Sequence, residues 1–132
     1  NRLGSREPEI YGSANYEALV ELVATTAAEL GHEAQVRQTN DEAELIGWLH
    51  EAADANLPVI INPAAFTHYS YAIRDAAELV KNVLIEVHLS NPMSREEFRH
   101  TSVISGVANG TIAGFGPNSY VLALIALKSL IS

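Results

Sequence analysis

The chain contains no cysteine, which excludes disulfides, thiolate metal sites and cysteine nucleophiles. Its only lysines are Lys81 and Lys128, so an imine to a carbonyl substrate would have to use one of those two. Eight Lys plus Arg stand against sixteen Asp plus Glu, a net charge of -8. A nucleic-acid footprint needs a basic patch, and there is little material for one. No apolar run approaches the roughly 20 residues of a membrane helix. The longest, Tyr120 to Leu127, has the length of a core helix, and no secretory signal pattern opens the residues given. Nucleic acid and membrane are therefore not expected as partners.

What remains is an ordinary globular balance: 132 residues, 48% hydrophobic and 18% charged. That length suits a single domain over 1–132. Leu19, Val20, Val23, Ala27 and Leu30 recur at helical spacing, and Gly31 is a natural stop. Glu33 to Arg37 alternates, with Ala34 and Val36 on one face, which predicts a short strand. Thr39 and Glu42 have the spacing of a capping box. A second helix follows through Leu45, Ile46, Leu49, Ala52 and Ala53. Val59-Ile60-Ile61, after Pro58, reads as a strand buried on both faces. Ala72, Ile73, Ala76, Ala77 and Val80 give a third helix, and Val83-Leu84-Ile85 starts another buried strand. Thr111 to Phe115 reads as a further strand, and Leu122, Leu124, Ile125, Leu127 and Leu130 as a last helix. The apolar girth of that helix leaves two readings, deep burial or packing against a neighbouring subunit. The alternation predicts an α/β fold, a parallel sheet with helices on both faces. Ligands in such sheets sit beyond the carboxyl ends of the strands.

The residues after each apolar run therefore matter most. Asn62 follows the first buried strand, with Thr67 and His68 a few positions on. Glu86 and His88 close the next, and two residues apart on a strand they share a face. A carboxylate beside an imidazole fixes its tautomer and suits it to acid catalysis. The plain alternative is a surface Glu beside a hydrogen-bonded His. A metal site of His68, Glu86 and His88 is weaker, because no helical His pair or third strong ligand fixes a geometry. Arg95 and Arg99 would share a face of one helical turn, as anion-binding donors or as members of a solvated Glu-laced helix. Arg6 and Tyr11 lie in a Gly- and Pro-containing opening loop. A guanidinium beside a phenol favours the phenolate, so Tyr11 is a candidate base, though packing would equally place a Tyr there. Asn118 and Tyr120 read as helix start and core, and His32, His50 and His100 as surface residues.

Six blocks carry a resemblance. They are Arg-Glu-Pro-Glu-Ile-Tyr-Gly (6–12), Ile-Asn-Pro-Ala-Ala-Phe-Thr-His (61–68), Ala-Ile-Arg-Asp-Ala (72–76), Glu-Val-His-Leu-Ser-Asn (86–91), Arg-Glu-Glu-Phe-Arg-His (95–100) and the Gly-Phe-Gly segment running to Tyr120. In this order and spacing, over nearly the whole chain, the sequence resembles type II 3-dehydroquinate dehydratase. The resemblance implies a flavodoxin-like three-layer sandwich and a lyase of the shikimate pathway in the cytoplasm. Such an enzyme removes water from 3-dehydroquinate through an enolate, with no cofactor and no metal. By position, Tyr11 matches the proton acceptor and His88 the proton donor. Arg6 matches the transition-state stabiliser and Glu86 the carboxylate behind the histidine. Asn62, His68 and Arg99 match substrate-binding residues, and Leu89 and Ser90 the pair that holds the substrate carboxylate. Asp75 matches an aspartate given by a neighbouring subunit, so the resemblance also implies trimers assembled into a dodecamer.

The chain departs from the pattern at Ala64, where the family has Gly. It departs again around Thr101-Ser102-Val103, where His-Ser-Tyr is common and the change is expected to matter for packing. Family members also begin with an apolar strand and a Gly-Pro-Asn turn before the equivalent of Asn1. An additional N-terminal strand of about 5–6 residues is therefore expected in the native chain. The rival reading is a flavodoxin-like binding or signalling module without catalysis.

Overall fold

The computed structural model describes residues 13–63, 70–89 and 102–131. Three parallel strands form a sheet: β1 (Val59–Ile61), β2 (Leu84–His88) and β3 (Gly110–Ala113), in that spatial order. Four helices accompany them: α1 (Ser13–Glu29), α2 (Glu42–Ala55), α3 (Tyr71–Glu78) and α4 (Asn118–Ile131). Strand β2 is central, with Ile85 beside Ile60 on one flank and Gly110 on the other.

All five residues of β2 are buried, because both faces are covered. Ile85 and Val87 pack on Ala123 and Leu127 of α4. Leu84, on the opposite face, joins Leu49, Ile73, Ala76, Ala77 and Ile104. This layering is what continuous apolar strand sequences predict. Each such buried Leu or Ile contributes roughly 1.5–3 kcal/mol by leaving water.

Local chemistry sets the helix ends. Gly31 takes φ +85°, and the His32 amide donates to the Ala27 carbonyl at 2.8 Å while the Gly31 amide donates to Ala28 at 3.0 Å. This paired closure requires a left-handed residue, which glycine adopts without strain. The N-cap of α2 is Asp41, not Thr39: its carboxylate accepts from the Ala43 amide at 2.9 Å. Thr39 instead accepts from the Asp41 amide at 3.0 Å, one step outside the helix. Asn56 ends α2 at φ 55°, its carbonyl held by the Asn82 side chain at 2.8 Å. Ser70 caps α3 by accepting from the Ile73 amide at 3.1 Å and donates its hydroxyl to Glu42 of α2.

Residues 33–37 do not form the expected strand. The burial alternates as the sequence pattern requires, with Ala34 and Val36 against the Leu19–Val23–Ala27 face of α1. Among the described residues no strand pairs with this segment, and a strand exists only through its ladder. Arg37 ties the segment to α2 instead, 3.4 Å from Glu51 and with its guanidinium 5.5 Å from the centre of the Trp48 ring. His32 is also not a surface residue: it is half-buried, and its Nε2 is buried with no hydrogen-bond partner among the described residues. His50 is exposed, as expected.

Helix α4 is not buried all round. One face, with Ser119, Ala123, Leu124 and Leu127, is buried. The other leaves Leu122, Ile125 and Leu130 exposed. Among the described residues, no helix is long and apolar enough to cross a membrane.

Candidate active site

Among the described residues, the carboxyl ends of β1 and β2 hold Asn62, Glu86, His88 and Leu89. The pairing sets Ile61 beside Glu86 and His88 beside Ala113. Asn62, one step beyond β1, therefore lies at the same edge as His88.

Glu86 and His88 share the face of β2 that carries Leu84, as alternation predicts. Glu86 is fully buried and His88 is 8% exposed. His88 Nε2 lies 2.5 Å from Glu86 Oε2. A buried carboxylate is costly unless its oxygens are satisfied, and here the turn after residue 101 satisfies them. Ser102 donates to both oxygens at 3.2 Å. Ser105 donates to Oε1 at 2.6 Å. The Ser102 hydroxyl in turn accepts the amides of Ile104 at 3.1 Å and Ser105 at 2.9 Å.

Sequence reasoning missed both serines. The neighbourhood of Ser102 was expected to serve packing, but its hydroxyl bonds the carboxylate. The available signal was a short run of hydroxyls, Ser102 and Ser105, directly before the last strand. A strand that buries a Glu needs donors from a neighbouring element, and these were the nearest candidates.

Tyr120 is more than core. It sits in the first turn of α4, and its phenol hydrogen-bonds with the Asn62 side chain. Although the residue as a whole is half-buried, desolvation pushes its pKa up to about 12; the Asn62 bond opposes this and Tyr16 adds to it. A tyrosine so placed stays a neutral phenol across the working pH range and fixes the Asn62 amide.

The shift carries a sign for stability. The folded pKa lies above the ordinary value near 10, so the protonated phenol is favoured by folding. That contribution is complete below pH 10 and is lost as pH rises through about 12. Its size is about 2–3 kcal/mol. At pH 8, Tyr120→Phe is expected to be less stable by about 1 kcal/mol, for the lost bond to Asn62. At pH 11 the gap between variant and wild type should narrow. Urea midpoints at the two pH values test this, and an unchanged gap would refute it.

Leu89 has a buried side chain among Leu19, Val23, Ala27 and Leu124. The amide of Gly116 donates to its carbonyl at 2.8 Å, and that of Gly114 donates to the His88 carbonyl at 3.2 Å. Gly114 and Gly116 reach these carbonyls at φ 93° and 59°, in the left-handed region. The Gly-Phe-Gly segment thus clamps the end of β2. Asp75 is exposed on α3. Arg6, Tyr11, His68, Ser90 and Arg99 lie outside the described residues, as do Ala64 and the Arg95–Arg99 turn.

Residues 1–128 match the sequence profile of Dehydroquinase class II. The 3-dehydroquinate dehydratase of Salinispora tropica is 58% identical over 123 residues, covering 93% of this chain and 86% of that protein. That of Mycobacteroides abscessus is 55% identical over 123 residues, covering 93% and 85%. The crystal structure of type II dehydroquinase from Propionibacterium acnes superposes with a TM-score of 0.91 at 49% identity, covering 97% of this chain and 88% of that one. With this sequence match over nearly its whole length, and a parallel α/β sheet that superposes on a solved member, the chain belongs to the class II dehydroquinase family.

Proposed function

We propose that this chain, a single catalytic domain, dehydrates 3-dehydroquinate to 3-dehydroshikimate. Tyr11, assisted by Arg6, removes the proton alpha to the ketone. Fixed donors hold the resulting enolate. His88, oriented by Glu86, then protonates the departing hydroxyl as general acid. Asn62, His68, Leu89, Ser90 and Arg99 bind the substrate. The observation that carries this reading is the buried Glu86–His88 pair at the carboxyl end of the central strand, in a chain of this family. The test is turnover of 3-dehydroquinate, followed by growth of enone absorbance without added cofactor. Purified protein that leaves the substrate unchanged would refute it. A role in aromatic amino-acid biosynthesis supports a cytoplasmic location.

The same reading includes assembly. Trimers sharing active sites, built into a dodecamer, would give Asp75 a role in a neighbour's site. Two features support this: the carboxylate of Asp75 is exposed, and Leu122, Ile125 and Leu130 form an exposed apolar face. A charge pair across an interface leaves an unpaired cation when one partner is removed, at about 2–5 kcal/mol. Asp75→Ala is therefore expected to weaken both assembly and substrate affinity. Sedimentation and turnover on one sample check this; a fully active monomer would remove the shared site.

A further inference from the structure

We infer that Ser105, with Ser102, is a positioning residue for proton donation by His88, acting through Glu86. The inference rests on the dehydratase reading above and deepens it.

Glu86 is buried, so its oxygens need donors from the surrounding fold. His88, Ser102 and Ser105 bond to its oxygens at the distances given above. Ser102 has little freedom, because two backbone amides occupy its oxygen and direct its single proton to the carboxylate. Ser105 makes the shortest hydroxyl contact, 2.6 Å, and its oxygen also lies 3.2 Å from the Thr111 hydroxyl at the start of β3. A donor from Thr111 directs the Ser105 proton toward Glu86. The result is that Ser105 donates to Oε1, His88 meets Oε2, and the Ser102 hydroxyl is shared between the two oxygens.

Donors on Oε1 fix the plane of the carboxylate and keep it an acceptor toward the imidazole. The His88 ring is then held in one orientation with Nε2–H toward Glu86, so that in the protonated ring the opposite nitrogen, Nδ1, presents its proton to the leaving hydroxyl and the ring is left neutral in a single tautomer. Without Ser105 the carboxylate can turn about its last torsion, and the ring loses its fixed backing. Formation of the enolate by Tyr11 does not use this chain. The inference therefore predicts a defect confined to the second half of the reaction.

The experiment uses the full chain and two readouts: exchange of the substrate's alpha proton with deuterated solvent, and dehydration. Ser105→Ala is expected to lower kcat for dehydration about ten-fold, a fraction of what a general acid contributes. KM should stay within about two-fold, and proton exchange should fall much less than dehydration. Ser105→Thr keeps a hydroxyl and should restore the wild-type ratio of the two rates. Equal losses in exchange and dehydration, or no loss in either, would overturn the inference and leave Ser105 a structural turn residue. If Ser105→Ala does not fold, Ser102→Ala takes its place, since its hydroxyl reaches the same carboxylate. A folded Ser102→Ala with an unchanged ratio would then overturn it. Wild-type protein without turnover would overturn the dehydratase reading and this inference together, whereas an active wild type with an unaltered ratio in the variants overturns the inference alone.

Discussion

Tyr11→Phe is expected to remove nearly all turnover while leaving substrate binding largely intact. The proton alpha to a ketone is weakly acidic, so its removal needs a strong, well-placed base. Phenylalanine keeps the ring and its packing but has no oxygen to receive the proton. Loss of a positioned general base typically costs 10²–10⁴-fold, and here the base serves the first step, so every later step stalls with it. Proton exchange into deuterated solvent should fall in parallel with dehydration. Arg6→Ala should act on the same step, with both rates again falling together. A Tyr11→Phe variant with more than half of normal activity would remove Tyr11 from the role, and a separation of the two rates in Arg6→Ala would break the pairing of Arg6 with Tyr11.

The sheet and its active edge were legible because their signals are local. Val59-Ile60-Ile61 and Val83-Leu84-Ile85 are continuous apolar runs, which read as strands inside a covered sheet; β2 is buried throughout, whereas Val59 and Ile60 of β1 are half-buried and Ile61 alone of that strand is buried. The two-residue spacing of Glu86 and His88 then placed them on one face without any knowledge of the fold. The strand expected at 33–37 shows the limit of the same reasoning. Alternation predicted which side chains turn inward, and Ala34 and Val36 do, but pairing is a property of two segments and no single segment encodes it. The cap of α2 failed for a smaller reason. Thr39 and Asp41 are both good caps two residues apart, and the capping-box spacing favoured the one that the backbone leaves outside.

The supports of the site were hidden by sequence distance. Ser102 and Ser105 are 16 and 19 residues from Glu86, in a turn where serine is common for local reasons. Tyr120 lies in an apolar helix, where an aromatic ring usually means packing, yet its hydroxyl reaches Asn62 across the strand end. In each case the polar atom has a partner that only the tertiary fold supplies, and a buried polar group without a visible partner in sequence is the sign that one exists.

His88→Ala should split the reaction rather than abolish it. The imidazole is the group placed to protonate the leaving hydroxyl, and hydroxide leaves poorly without an acid. Alanine at 88 keeps β2, because residues 84–87 retain their burial and the ladder uses only backbone groups. Enolate formation should therefore continue, and the enolate should return to substrate more often than it loses water. The expected signature is alpha-proton exchange that survives while dehydration falls by 10²-fold or more. The substitution also leaves Glu86 with one donor fewer in a buried position, so some loss of stability is expected, on the order of 1–3 kcal/mol. Glu86→Gln should cost less turnover, because the imidazole remains and only its charged partner is lost; the serine hydroxyls can still donate to the amide oxygen. Melting temperatures alongside the two rates separate the effects. If His88→Ala loses exchange and dehydration equally at unchanged stability, His88 acts before the enolate forms or only in binding, and the acid must be sought elsewhere at the carboxyl edge of the sheet.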